Sequence, residues 1–235
     1  MSATVQPLGR RVPTDWRHVD RYRLTAITAP TTPTPVIAGT NWYSGFDTPL
    51  WDMRGHFWYL PSGDIGSVRG GHAFCLKPDH VLDTIPWWRF YDQGSEGACV
   101  GFACSRAMTL LNRQRYDAFW LYRSAQAIDE WADTPPAEGT SVRAALDILR
   151  TAGHRRVWNT RIGPTDPTAG IAVNRWATSV DDAVAAMQSP RYLGLGRVPL
   201  LNSWGPGYPH IVWMPLDVLD RLLREDGELG VIVDK

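Results

Sequence analysis

The chain has 235 residues, enough for one large or two small domains, and its 24 basic and 24 acidic side chains give a formal net charge of zero. This balance argues against a nucleic-acid-binding protein, and no apolar run is long enough to cross a membrane. Three cysteines cannot make a complete disulfide framework, so we expect a protein without structural disulfides that resides in a cytoplasm.

The first 31 residues predict an extended arm. They combine charge, proline and threonine without periodicity, and Thr25–Pro35 has the composition of a linker. Arg10 and Arg11 lie where a signal peptide would need a continuous apolar stretch. We therefore predict an arm at 1–31 and a folded domain at 32–235.

The next segment has the character of a β-rich region. Strands are predicted at 35–40, 55–60 and 71–76, joined by turns that contain glycine and aspartate. The third strand is entered through the pair Gly70-Gly71 and carries His72 near its start.

A glycine-rich loop, Gln93–Gly97, leads into Cys99, and apolar residues then recur at helical spacing to about Arg113. We expect Cys99 in the first turn of a helix, where unpaired N–H groups and the helix dipole favour the thiolate. The amide NH2 of Gln93 and the backbone N–H of Cys99 would form an oxyanion hole. The alternative is that Cys99 is a small buried core residue, as we expect for Cys75 and Cys104.

The rest of the chain alternates between helical and extended patterns. Helices are predicted at 118–131, from Thr140 or Ser141 to Gly153, from Ser179 over a short stretch, and at 215–225. Extended structure is predicted from Arg155 onward, over 193–201 leading into Asn202, and over 229–233. The apolar stripes of the helices indicate core packing.

Three short motifs carry the chemistry. Gln93–Cys99 has the pattern Q-G-x-x-G-x-C, Gly71–Ala73 is G-H-A, and Asn202–Gly205 is N-S-W-G. With these motifs the sequence resembles the papain-like cysteine peptidases, of the bacterial and bacteriophage type. The flanks Leu8–Asp15 and Pro35–Tyr43 are similar to the segments that precede the motifs in that family.

The resemblance implies a role for each motif residue. Cys99 would be the nucleophile, His72 the general base and acid, Asn202 the residue that orients the imidazole, and Gln93 the oxyanion donor. A thiolate and imidazolium ion pair at neutral pH is part of what the resemblance implies.

Three further residues are expected at the border of the site. Trp204 would shield the bond between histidine and asparagine from water, and Gly97 and Gly71 would line the site next to the substrate. No cofactor and no metal is expected, because the cysteines and His72 lack the spacing of a zinc site.

The resemblance also implies an α+β fold of two lobes with the site between them. The β-rich lobe would consist mainly of 32–80 and 171–235, and the helical lobe mainly of 90–155. In the family the cysteine precedes the histidine, whereas here His72 precedes Cys99. We interpret this order as a circular permutation or a transposition of the segment Thr32–Pro78.

Two other histidines, and two positions at which the sequence departs from the family pattern, bear on this interpretation. His154 and His210 lack the G-H-A context, so we predict that they lie in turns or at the surface. Glu96 stands where secreted members have a disulfide cysteine, and Val100 replaces the usual aromatic residue after the nucleophile.

Three functions remain open from the sequence. The first is a cysteine peptidase acting on protein or peptide substrates in the cytoplasm of a bacterium or a phage-infected host. The second is a catalytically silent structural or binding module with phage or bacterial protein partners, for example in a phage particle. The third is a cysteine amidase that acts on peptidoglycan peptides and uses the same chemistry. Neither nucleic acid nor a membrane is expected as a partner.

Overall fold

The structure, a computed structural model, describes residues 32–79, 91–130 and 138–234. The predicted arm at 1–31 and the flank Leu8–Asp15 lie outside these residues. In the described part the chain has a mixed α+β fold, with six α-helices and eleven strands.

The helices are α1 Cys99–Asn112, α2 Ala118–Gln126, α3 Val142–Thr151, α4 Val180–Ala186, α5 Arg191–Leu195 and α6 Leu216–Arg224. The strands are β1 Val36–Tyr43, β2 Leu50–Asp52, β3 Phe57–Tyr59, β4 Val68–Leu76, β5 Arg115–Tyr116, β6 His154–Trp158, β7 Arg161–Asp166, β8 Ile171–Ala177, β9 Arg197–Leu201, β10 Val212–Pro215 and β11 Glu228–Asp234.

Eight strands form one sheet in the order β2-β3-β10-β9-β4-β1-β11-β8, and β5-β6-β7 form a small second sheet. Neighbours in the large sheet are antiparallel except β10 and β3. Successive residues of β1 face different cores: Ile37 packs with α1 and α3, whereas Val36 and Ala38 pack with α4 and α6. Because helices cover both faces, the central strand is apolar on both sides.

Helix α1 is the buried centre of the helical side. Residues from Cys99 through Leu110 are all buried, so the helix is covered on every side, as expected for a helix that is apolar all round. It ends where Arg113 adopts a left-handed conformation and its N–H donates to the Thr109 carbonyl over 2.8 Å. The predicted helix beginning at Cys99 is confirmed.

Capping residues in the sequence correctly predicted where two other helices begin. The Ser141 side chain accepts a hydrogen bond from the Ala144 N–H and begins α3, and Ser179 accepts one from the Asp182 N–H and begins α4. Gly153, with φ of +85°, follows α3 and permits the turn. The predicted helix at 215–225 and the closing strand are also confirmed, as α6 and β11.

Three predictions about elements were wrong. Helix α2 ends at Gln126, and Ile128, expected in its buried stripe, is 53% exposed. Tight turns end the helix, because the N–H of Ile128 donates to the Ala125 carbonyl three residues earlier. Residues 191–195 form a helix and not extended chain, because Pro190 precedes its first turn and Gly196 ends it with φ of +64°.

The third error concerns His154, which is fully buried in β6 and not in a turn. Its ring stacks on Tyr116 with centroids 4.7 Å apart, and Ser105 lies 2.9 Å from its Nε2. Tyr116 and His154 belong to the small sheet, which was not predicted from the sequence as a unit, and Ser105 lies in α1.

Gly101 lies where α1 packs closely against α2, so a substitution at this position tests that packing. A Cβ at Gly101 would lie 2.5 Å from the Ala118 carbonyl oxygen and 2.7 Å from Tyr122 Cβ. We expect Gly101→Ala to lower the free energy of unfolding by about 1–3 kcal/mol, because α1 and α2 must separate, despite the better helix propensity of alanine.

Gly194→Ala is the matched control, because Gly194 is also helical and a Cβ there would meet nothing within 4 Å. This change should leave stability unchanged or raise it by up to about 1 kcal/mol in urea denaturation. Equal effects of the two substitutions would contradict the close packing of α1 on α2.

Candidate active site

Adjacent strands bring two of the predicted site residues together. His72 lies in β4, and Asn202 directly follows β9, which pairs with the end of β4 through Cys75 and Leu201. The Nε2 atom of His72 lies 2.8 Å from Oδ1 of Asn202, a hydrogen bond between residues 130 positions apart. Since a carboxamide oxygen only accepts, Nε2 carries the proton, and Nδ1 of the neutral ring has the free lone pair.

Aromatic rings enclose this hydrogen bond. The His72 ring is 3% exposed, with the Trp42 ring edge-on at 4.7 Å and the Trp204 ring tilted at 5.0 Å. The two tryptophan rings also contact each other, with centroids 5.2 Å apart. Trp204 is therefore one of the two rings beside His72. Trp42 was not predicted, although the register of β1 with β4 brings it next to His72.

The sulfur of Cys99 lies against the same strand. Cys99 is the first residue of α1, which packs on β4, and it is 4% exposed. The backbone N–H groups of Ala73, Val100 and Cys99 itself point toward the sulfur. Ala73 directly follows His72 in β4, so the sulfur lies next to the backbone of the strand that carries the histidine.

The Gln93 side chain is held in place from two sides. Its Oε1 accepts a hydrogen bond from the Ser203 hydroxyl over 2.5 Å, and its Nε2 donates to the Glu96 carbonyl over 3.0 Å. The backbone N–H of Gln93 donates to the Ser203 carbonyl over 2.9 Å. These contacts use one of the two hydrogens of Nε2. Ser203 was not predicted, although it is part of the N-S-W-G motif.

The two glycines expected near the site occupy different surroundings. Gly71 lies in β4 opposite Asn41, one residue before His72. A Cβ at Gly97 would lie 3.1 Å from the backbone nitrogen of Gly139, so the loop before Cys99 packs against the segment that leads into α3.

The other histidines make different contacts. Nδ1 of His154 accepts a hydrogen bond from the Arg155 N–H, so its Nε2 donates to Ser105. Nε2 of His210 accepts a hydrogen bond from Arg106 over 3.0 Å. His72 alone is bonded to Asn202 among the histidines within the described ranges.

Comparison with known proteins shows a likeness in structure. The sequence matches no protein-family model and no curated protein. Among solved structures the chain is similar to xylellain, a cysteine protease from Xylella fastidiosa, with a TM-score of 0.48 and 16% identity, over 83% of this chain and 97% of that chain.

Burial sets the charge state of the site. It lowers the pKa of His72 to about 4, and the hydrogen bond to Asn202 opposes this only in part. Burial likewise raises the pKa of the Cys99 thiol, against the effect of the three N–H groups. Both groups are therefore neutral at pH 7 in this arrangement. The ion pair implied by the resemblance is not favoured here, because it would place two charges where water is excluded.

Neither a metal-binding cluster nor a membrane-spanning helix is present among the described residues. In residues 32–79, 91–130 and 138–234 no group of three or more metal-binding side chains could hold a metal ion. None of the helices in those ranges is long and apolar enough to cross a membrane.

The buried histidines predict how stability depends on pH. Burial lowers the pKa of His72 to about 4 and that of His154 to about 3, below the usual 6.5. The stability that the neutral rings contribute is complete above pH 6.5 and is lost as the pH falls toward 4. In that range each histidine should lower the free energy of unfolding by up to about 1.4 kcal/mol for each pH unit of acidification.

The measurement is urea denaturation at pH 7.5 and pH 5.0 for the native chain and for His154→Gln. Glutamine keeps a donor toward Ser105 but does not titrate. Between pH 7.5 and pH 5.0 the free energy of unfolding should fall by about 2 kcal/mol more for the native chain than for the variant. Equal losses would show that His154 is not held in its neutral form by burial.

Proposed function

We propose that the protein is a papain-like cysteine peptidase that hydrolyses peptide bonds. The observation that carries this proposal is the bond between His72 and Asn202, enclosed by two tryptophans, beside a cysteine that begins a buried helix. In this proposal Cys99, His72 and Asn202 are nucleophile, base and orienting amide, and the elements that carry them, α1, β4 and the end of β9, are in contact. Acyl transfer to a cysteine needs these three roles.

In this mechanism His72 acts through Nδ1. The neutral ring accepts the proton of the Cys99 thiol as the sulfur attacks the substrate carbonyl, and the positive charge on the ring is stabilised by Asn202. The ring then gives the proton to the leaving amine as the carbon–nitrogen bond breaks and a thioester remains. Water, activated by the same nitrogen, hydrolyses the thioester and restores the thiol.

Two donors would hold the oxyanion. The unused hydrogen of Gln93 Nε2 is one, and the backbone N–H of Cys99 at the start of α1 is the other. Ser203 supports this arrangement, because it binds Gln93 Oε1 and also donates its N–H to Asn202 Oδ1 over 2.8 Å. The orientations of both amides are thereby fixed.

We also propose that the fold is a two-lobe papain-like fold in which the histidine segment has been moved in front of the nucleophile. All strands of the large sheet come from 36–76 and 171–234, whereas α1, α2 and α3 come from 99–151, which supports the proposed division into lobes. Chain order places no restriction on catalysis, since geometry defines a triad.

One observation favours a second candidate, a catalytically silent module. Cys99 is only 4% exposed and its thiol is neutral at pH 7, so a substrate must displace covering groups before attack. An amidase of peptidoglycan peptides would share the site chemistry and would differ in substrate alone.

Turnover is tested with denatured casein and a broad epoxide inhibitor. We expect cleavage of casein and a covalent adduct at Cys99, and both Cys99→Ala and His72→Ala should lower kcat/KM by roughly 1,000-fold or more. Cys104→Ala is the control, because it makes the same chemical change at a fully buried position of the same helix. Absence of both cleavage and adduct in folded protein would favour the silent module.

The three cysteines should differ in reactivity. Burial raises the pKa of both thiols, but the N–H groups around Cys99 oppose the rise there. Neighbouring thiols instead raise the pKa of Cys104 further, far above the usual range. With limiting iodoacetamide at mildly acidic pH, mass spectrometry should find Cys99 alkylated before Cys75 and Cys104. Equal or slower labelling of Cys99 would contradict its role as the nucleophile.

A further inference from the structure

One face of the small sheet carries basic and aromatic side chains in alternation. Arg161, Gly163 and Thr165 are alternate residues of β7, so they share a face of the strand. A Cβ at Gly163 would lie 2.6 Å from Cζ3 of Trp158, so the Trp158 ring lies against this glycine. Nε of Arg155 donates to Oγ1 of Thr165 over 3.2 Å. Arg161, Trp158 and Arg155 therefore form a row along this face, which we call the arginine row.

The middle of the arginine row is an exposed indole ring. Trp158 is 51% exposed and pairs with Arg161 at the tip of the β6–β7 hairpin. Because Gly163 lies against the ring, the ring has a fixed place, and much of its remaining surface faces solvent. Tryptophan and arginine are the residues enriched at the centres of protein interfaces. The ring therefore offers an apolar contact to a partner.

Both arginines of the row have hydrogen-bond donors left for a ligand. Arg161 is exposed, and its side chain forms no hydrogen bond or ion pair with the described residues. The guanidinium carbon of Arg155 lies 5.1 Å from the centroid of the Trp120 ring, and Nε is bonded to Thr165. Ring and threonine hold this guanidinium in place, while its two terminal amino groups make no hydrogen bond within the described ranges. A guanidinium fixed in this way pairs with a carboxylate through two parallel hydrogen bonds.

The surroundings of the row are basic. Residues 113–117 and 154–166, which include all three strands of the small sheet, contain five arginines and two aspartates, although the whole chain has no net charge. Both aspartates are already bonded. Asp166 forms an ion pair with Arg156 over 3.1 Å, and Asp117 accepts a hydrogen bond from the Trp120 N–H over 3.1 Å. The positive charge of the row therefore favours an anionic partner.

The spacing of the row selects the shape of that partner. Arg161 and Thr165, which binds Arg155, are four residues apart, or about 14 Å along a strand. Two acidic residues four positions apart in an extended polypeptide have the same separation, with an apolar residue between them opposite Trp158. Single-stranded nucleic acid fits less well, because it binds a basic groove with a series of stacking rings, whereas the row has two guanidinium groups and one exposed ring.

We propose that the arginine row binds an acidic, extended segment of a protein partner. Carboxylates of the segment pair with Arg155 and Arg161, and an apolar side chain between them packs on Trp158. The inference is independent of the peptidase function, because the row shares no residue with the candidate active site. The competing interpretation is that the arginines only keep the hairpin soluble.

Binding of a model peptide tests the proposal. The probe is a fluorescein-labelled peptide in which two glutamates, four positions apart, flank a leucine, and the reference peptide has glutamines in their place. Affinities are compared by anisotropy in a Cys99→Ala background, so that neither peptide can be cleaved. The glutamate peptide should bind about 10-fold more tightly, since each exposed ion pair contributes about 3-fold, and the preference should shrink with added salt.

Substitution of the arginines should remove this preference. Arg155→Gln combined with Arg161→Gln should give both peptides the affinity of the glutamine peptide. If the double variant unfolds, Arg161→Gln alone should reduce the preference to about 3-fold. Arg54→Gln is the matched control, because it removes an exposed arginine from the turn between β2 and β3 and should leave the preference intact.

The ring is tested separately from the charges. Trp158→Ser should weaken binding of both peptides by about 5-fold or more and leave the preference for glutamate unchanged. Gly163→Ala displaces the ring without removing it and should act in the same direction. A Trp158→Ser variant that binds both peptides as the native chain does would refute the contact with the ring.

Three results would overturn the inference as a whole. The first is no measurable binding of the glutamate peptide, or equal affinity for the two peptides. The second is a preference that survives substitution of both arginines. The third is tighter binding of an oligothymidylate, or of vesicles of phosphatidylserine and phosphatidylcholine, than of the glutamate peptide, which would assign the row to a nucleic acid or a membrane.

Discussion

The hydrogen bonds between residues 91–93 and 203–205 are the constraint on which the candidate site depends. The loop before α1 carries Gln93, and the segment after β9 carries Asn202. Gln93 binds Ser203 through both backbone and side chain, and Gly205 donates its N–H to the Tyr91 carbonyl over 3.3 Å. Without this junction, Gln93 and Asn202 would have no fixed relation to each other.

A glycine makes the junction possible. Gly205 has φ of +58°, and a Cβ there would lie 2.5 Å from a carboxylate oxygen of Asp92. A side chain at this position would have to push the two segments apart and adopt a conformation that L-residues avoid. The last residue of the N-S-W-G motif is therefore explained by packing, and Asn202 and Ser203 by hydrogen bonding.

Features that depend on neighbouring residues in the chain were predicted correctly from the sequence. Features that depend on strand pairing in the folded sheet were not. Ser141 and Ser179 cap helices with their own side chains, so short-range chemistry revealed α3 and α4. Trp42 was missed, because only strand register places it beside His72. Helix α5 has five residues, too few for a period of 3.6 to show. The expected ion pair is disfavoured for a similar reason, since burial is a property of the fold.

The position of β11 has a consequence for synthesis of the chain. This strand, residues 228–234, lies between β1 and β8, and β8 joins the large sheet only through β11. A nascent chain that has left the ribosome only as far as α6 has a sheet that ends at β1, with β8 unpaired. The whole of β11 must emerge before the sheet closes, so the large sheet is completed only after residue 234 has been synthesised.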